Sequence, residues 1–228
     1  MPPIKKALYI SHGWSQSTPV IATGKHFRAA KDGVFLLAAI RGGVYVNTVD
    51  ESGRAFAHSA TTCDDLAFIC DSDVRHLPVV VDILERGMSV NAVDEDGGTL
   101  MHWAARGSQV HVIKELSRRG GNPRAKSNIG HTPMHYAAGN CDAAVMEAIM
   151  YLCGGGGASD VNKYGWSPFH WLAGGASNYP SRADAALAAL VQCTDLNFSA
   201  KNDDGRTAAC VARARHNEVF AIKIEQVP

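Results

Sequence analysis

Residues 130–140 read GHTPMHYAAGN, and the two histidines in that stretch admit three readings: a metal chelate, a catalytic centre, or a piece of architecture. Histidines four apart share a face when both sit on one helix, a spacing that can hold zinc. The Thr-Pro between them separates the pair. Thr132 is a good N-cap, and Pro133 fits a first helical turn but not a helix interior. His131 is therefore expected just before a helix and His135 inside its first turn, which weakens the chelate.

The stretch is not unique in the chain. GHTPMHYAA at 130–138 recurs as GGTLMHWAA at 97–105 and GWSPFHWLA at 165–173, with weaker copies GRAFAHSAT at 53–61 and GRTAACVAR at 205–213. Each glycine is followed five residues later by His58, His102, His135 or His170, and by Cys210 in the last copy. The intervals between these positions are 44, 33, 35 and 40 residues, and HFRAAKDG at 26–33 reads as an eroded first copy. A period of this length marks stacked supersecondary units.

The pattern resembles the ankyrin repeat, whose signature is T-P-L-H-x-A-A followed by a second helix and a Val-Asn turn. HTPMHYAA is the closest copy, and Val46-Asn47, Val90-Asn91, Val161-Asn162 and Leu196-Asn197 read as the turns. The resemblance runs from about residue 20 to 222. It implies an all-α solenoid of about six helix-turn-helix units joined by β-hairpin turns. The approximate units are 21–49, 50–93, 94–126, 127–162, 163–200 and 201–228, with residues 1–20 as an extension that caps the first. It also implies that His58, His102, His135 and His170 are structural, each bonding to the backbone of the adjoining turn. His131 falls at a variable, exposed hairpin position, open to a partner.

Local chemistry agrees with stacked helix pairs. In VHVIKELSRRG at 110–120, Val110, Ile113 and Leu116 share one side, with Val112 near it, and in AVMEAIMYLCG at 144–154 Val145, Ile149 and Leu152 do, with Met146 and Met150 beside them. Alanine pairs 104–105 and 137–138 let neighbouring helices approach. One unit cannot bury both faces, so stability comes from stacking.

The bulk properties narrow the function. Lys+Arg and Asp+Glu balance at 22 each, so no basic excess points to nucleic acid or a membrane surface. The longest apolar runs, such as VFLLAAI at 34–40, are far too short to span a bilayer, and the first residues lack a signal-peptide core. A soluble, cytoplasmic protein is expected, with nuclear placement or delivery into a host cytosol left open. Cys63, Cys70, Cys141, Cys153, Cys193 and Cys210 show no CxxC pair and read as buried, reduced thiols. No cofactor and no metal site is implied.

Departures from the repeat carry the individuality. The unit at 50–93 holds an insertion at 61–78, GGASNYPSRAD at 174–184 reads as a Gly/Ser/Pro-rich loop, and CGGGGASD at 153–160 as a helix cap and spacer without the GK[ST] of a phosphate loop. Residues 61–112 hold nine acids against Arg75, Arg86 and Arg106, whereas 113–135 hold five bases against Glu115 alone. The basic stretch has no interleaved aromatic, unlike a single-strand nucleic-acid platform. Trp103, Tyr136 and Trp171 directly follow the histidines and are expected in the core. Tyr164 and Trp166 flank Gly165 at a hairpin tip, and exposed Tyr, Trp and Arg are the usual hot-spot types.

The resulting expectation is a non-enzymatic protein–protein interaction module, an adaptor, inhibitor or scaffold that is monomeric alone. It would bind a protein partner through Tyr164, Trp166, Ile129, His131, Arg106, Arg206, Glu95 and Asp96. A microbial effector acting on host proteins by the same mode is a variant. An enzyme using Cys63, Cys70 or His76 in the inserted loop is the alternative of another class; no nucleophile–base motif accompanies those residues.

Overall fold

A computed structural model describes residues 77–227 apart from 86, 88 and 95. The expected cap at 1–20, the first unit, His58, Glu95, Cys63, Cys70 and His76 lie outside the described residues. Within them the chain is helical: α1 (Leu77–Glu85), α2 (Leu100–Arg106), α3 (Val110–Arg118), α4 (Pro133–Gly139), α5 (Ala143–Leu152), α6 (Pro168–Gly175), α7 (Pro180–Val191), α8 (Ala208–Ala214) and α9 (Glu218–Glu225). Helices α2, α4, α6 and α8 stack in one row, while α1, α3, α5 and α7 stack behind them. Each front helix packs on the rear helix that follows it, giving four helix pairs, α2/α3 to α8/α9, and the rear helix α1 of the pair before.

Amphipathicity explains the two rows. Val112, Ile113 and Leu116 of α3 and Val145, Met146 and Ile149 of α5 are fully buried, while Val110 and Leu152 sit at the margin. The front row is thinner: Ala104, Ala105, Ala137, Ala138 and Ala173 have no exposed surface. Their small side chains set the close spacing of front helices, while Leu100, Met101, Met134 and Phe169 of the same row join the rear row in filling the core.

Segment 174–184 is mostly helix rather than loop. Gly174 and Gly175 finish α6, and Pro180 opens α7 at a position where a missing N–H costs nothing. The glycine has a packing reason: a Cβ on Gly175 would overlap the carbonyl oxygen of Gly139. The glycine run at 154–157 also has an anchor. The Asp195 carboxylate, from the next unit, accepts from the N–H groups of Gly157 (2.9 Å) and Ala158 (3.0 Å), and Thr194 N–H donates to Gly155 O at 2.8 Å. The N–H groups of Gly154, Gly155, Gly157 and Ala158 thus all have protein acceptors.

The last pair closes the described stack with a polar face. Ala105, Ala138 and Ala173 stand eight residues after their hairpin glycines and are buried, but the same place after Gly205 holds Arg213. Its guanidinium bonds Glu225 through two contacts of 2.8 Å and Glu218 at 3.0 Å.

Candidate functional site

The turns that enter each unit are built alike. A hairpin closes where Asp94, Ser127, Asn162 and Asn202 N–H donate to the carbonyls of Gly98, His131, Trp166 and Arg206, at 2.9–3.0 Å. The side chains of Asp94, Ser127, Asn162 and Asn202 in turn accept from the N–H groups of Gly98, His131, Trp166 and Arg206. Gly97, Gly130, Gly165 and Gly205 carry positive φ at the bend, between 69° and 81°. At Gly97 a Cβ would also come within 2.6 Å of Asn128 Oδ1, so glycine is required twice over.

This frame corrects the reading of the Val-Asn turns. Asn91 precedes Gly97 by six residues, Asn162 precedes Gly165 by three and Asn197 precedes Gly205 by eight. Asn91 bridges units, donating to Gly120 O and accepting from Asn122 N–H at 3.0 Å each. Asn162 instead sits inside the hairpin, and Asn197 accepts from Ser199 N–H in the turn before it.

Histidines lock consecutive units together. In His135, Nδ1 accepts from Thr132 N–H at 3.0 Å and from Thr132 Oγ1–H at 2.9 Å, so it holds no proton. The ring hydrogen then lies on Nε2, which donates to Trp166 O in the next hairpin at 3.0 Å. His102 repeats the arrangement with Thr99 and His131 O, and His170 with Ser167 and Arg206 O. Both nitrogens of each ring are engaged. Burial, the dominant cause, pushes His135 down to about 4 and lowers His102 and His170 in the same direction. Cys210, in the same place in the last unit, is exposed.

The hairpin tips form a second lattice. Asn128 N–H donates to Asp96 O (2.8 Å), Lys163 N–H to Ile129 O (2.9 Å) and Asp203 N–H to Tyr164 O (3.1 Å). Each tip is pinned to its neighbour, and the side chains it displays are held in a row. Tyr164 is 58% exposed and Ile129 41%, and Val93 and Val161 are exposed on the same fingers. Asp96, Arg106 and Arg206 are exposed as well.

Two of the sequence-derived contacts sit otherwise than expected. His131 is buried, with 7% of its surface exposed: its Nε2 meets Asn162 Nδ2 at 2.9 Å and Trp171 packs edge-on with ring centroids 4.6 Å apart. His135, Tyr136 and Trp171 surround the ring, with centroids 4.6–5.7 Å away. Trp166 is half-buried, packed against the core, with the Arg206 guanidinium 6.0 Å from its ring. Conversely, Trp103, Tyr136 and Trp171, expected in the core, are only half-buried. Trp103 Nε1–H donates to Asp94 at 2.9 Å and Arg106 lies 5.5 Å over its ring. These rings follow the lock histidines on the front helices. Tyr136 and Trp171 also pack against the core, so the core reading holds for one side of these rings and leaves out their exposed edge. Their single-residue offset from each histidine was the available signal, since one helical step turns a side chain by about 100°.

Thiols divide by depth. Burial raises Cys141 and Cys193 to about 11, Cys153 is half-buried and also raised, and Cys210 is lowered by hydrogen bonds from Thr207. The expectation of uniformly buried thiols fails at Cys210, because the last unit has no described neighbour over its histidine position. Among the described residues no helix is long and apolar enough to cross a membrane.

Comparison with known proteins gives the same pattern. The ankyrin-repeat family pattern, three copies long, matches residues 66–149. The chain is similar to an ankyrin repeat and LEM domain-containing protein 1 homolog of Caenorhabditis elegans, 38% identical over 58 residues. It is 28% identical over 158 residues to the human ankyrin and armadillo repeat-containing protein, and 29% over 99 residues to a putative ankyrin repeat protein of Rickettsia bellii (strain RML369-C). These matches take in 25%, 62% and 42% of this chain, but only 8%, 11% and 48% of the relatives. Repeats of this family are a protein-interaction module.

Proposed function

The chain is an ankyrin-repeat protein, and from that premise we propose that it binds a protein partner through its hairpin tips and the half-buried aromatic rings of the front helices, without catalysing a reaction. The observation that carries this reading is the pair Ile129 and Tyr164, apolar side chains left exposed on tips that the inter-tip hydrogen bonds hold rigid. A rigid surface loses little entropy on binding, and aromatic anchors on such a surface supply most of the affinity. Arg106, Arg206 and Asp96 rim the patch and would set specificity. Trp166 contributes through its partial exposure. An adaptor, an inhibitor and a scaffold all use such a surface, and the cytoplasm is the compartment where we place it.

Affinity capture from cell lysate tests this. Wild type is compared with a Tyr164→Ala/Ile129→Ala/Arg106→Ala variant, with circular dichroism confirming that both fold. A protein retained by wild type and lost by the folded variant supports the tip as the contact. Equal retention moves the contact elsewhere, and no specific protein with either removes the reading.

A further inference from the structure

We propose that His131 is a positioning residue for the Tyr164–Trp166 tip, holding it only while the ring is neutral with its proton on Nδ1, so that acid releases the tip. The functional weight of this rests on the tip being the binding surface. Asn162 ties His131 to the tip. Its Oδ1 accepts from Tyr164 N–H at 2.9 Å and from Trp166 N–H at 3.0 Å, which fixes the orientation of the amide. The amide nitrogen is therefore the end turned toward His131, 2.9 Å from Nε2. An NH2 group only donates, so Nε2 accepts and the neutral ring carries its hydrogen on Nδ1. That is the opposite tautomer to the three lock histidines. Nδ1 itself is buried without a hydrogen-bond partner.

A second proton can go only to Nε2, where it meets the Asn162 NH2 donor head-on. Turning the amide over would relieve the clash, but it withdraws Oδ1 from both tip N–H groups and leaves the hairpin unsupported. Among the described residues, none that faces the ring compensates the charge. The groups facing the ring are His135 and Tyr136 from α4, Trp171 from α6, and His102, whose Nε2 donates to His131 O. The titratable ones among these are two further histidines and a tyrosine; none of the four is a carboxylate. Burial lowers the His131 pKa from its ordinary value, in keeping with a ring held neutral at physiological pH. Gly98, Trp166 and Arg206 occupy the equivalent place in the other described hairpins, so among them only this tip is braced by a histidine of the preceding hairpin.

The test uses the full chain labelled with nitrogen-15. Imidazole nitrogen shifts at neutral pH are expected to place the hydrogen of His131 on Nδ1 and those of His102, His135 and His170 on Nε2. Between pH 7 and 5, the hydrogen-exchange protection of the Tyr164 and Trp166 amides is expected to fall at least tenfold, ahead of the Asn128 amide on the preceding tip. His131→Gln offers Asn162 a carbonyl that does not titrate; it should keep protection at pH 7 and flatten the pH profile. His131→Phe should lose protection throughout. An Nε2–H tautomer at His131, or an unchanged pH profile in His131→Gln, overturns the proposal. The tautomer is read on wild type, so a misfolded variant does not protect the idea. No partner enters these readouts, so they succeed or fail separately from the capture experiment.

Discussion

Acid should loosen the stack through its histidine locks, and His135 gives the scale. In the folded chain Nδ1 must stay unprotonated to accept from Thr132, and the ring titrates at about 4 rather than 6.5. The folded pKa is depressed, so the neutral ring is the stabilised form. Its contribution is complete above pH 6.5, starts to erode as the unfolded chain takes up the proton, and is gone by pH 4. The full difference corresponds to ~3 kcal/mol, of which ~2 kcal/mol is lost by about pH 5. Urea unfolding followed by circular dichroism measures it. With a urea slope of roughly 2 kcal/mol per molar, the midpoint should fall by about 1 M from His135 alone between pH 8 and pH 5. His102 and His170 shift in the same direction and add to the fall. A His135→Gln variant should be weaker at pH 8 yet lose ~2 kcal/mol less than wild type on acidification. If wild type keeps its midpoint at pH 5, or the variant loses as much as wild type, the histidine is not a protonation-sensitive lock.

Gly175→Ala should destabilise the chain by ~1–3 kcal/mol, the usual cost of overpacking, because its Cβ lands on Gly139 O; thermal unfolding reads it, and a neutral result would mean that α4 and α6 can separate freely. His216 is exposed at φ 59°, so His216→Gly should be stabilising by less than ~1 kcal/mol, the relief of left-handed strain outweighing the added unfolded-state freedom. A measured loss would show that the imidazole makes an interaction worth more than the strain. Asp195→Asn keeps one acceptor for Gly157 and Ala158 but discards the charge, and should cost ~1 kcal/mol at pH 7. Burial raises the pKa of Asp195, but bonds from Gly157, Cys193, Ser159 and Ala158 outweigh it and hold the group low. Its stabilisation should therefore persist above the usual carboxylate range and fade only in stronger acid, as exchange of the Gly157 amide would report.

Phase and identity of the repeat were readable because they rest on backbone chemistry that repeats with the chain. A positive φ at each hairpin glycine and an N-cap with a histidine at its third helical position leave the same letters every time. The Val-Asn pairs were misleading for the same reason. Asn91, Asn162 and Asn197 look alike in sequence, yet they serve three registers, since an asparagine side chain can close a turn from several offsets. Segment 174–184 read as a loop from composition, but glycine there answers the approach of Gly139, a contact 36 residues away. His131 was legible as a variable position and not as a buried one. Its burial depends on Trp171 and Asn162, neither of which stands at a fixed spacing from it in the repeat.

The position after the hairpin glycine shows how this architecture separates scaffold from function. It holds Gly98, His131, Trp166 and Arg206 in successive units, and its backbone performs one task throughout: the carbonyls of the last three accept the lock histidine of the preceding unit. That task uses main chain only, so the side chain is free to differ. At 98 a Cβ would crowd Asp94 and Trp103. At 131 the side chain turns inward and braces the next hairpin. At 166 it half-covers the core, and at 206 it lies out over Trp166. A fixed acceptor with an unconstrained side chain lets a repeat diversify its surface without weakening its stack. The same freedom lets one unit spend that position on controlling its neighbour's tip rather than on contacting a partner. Variability within a repeat therefore marks where a side chain can change, and the packing around it decides whether the change faces outward.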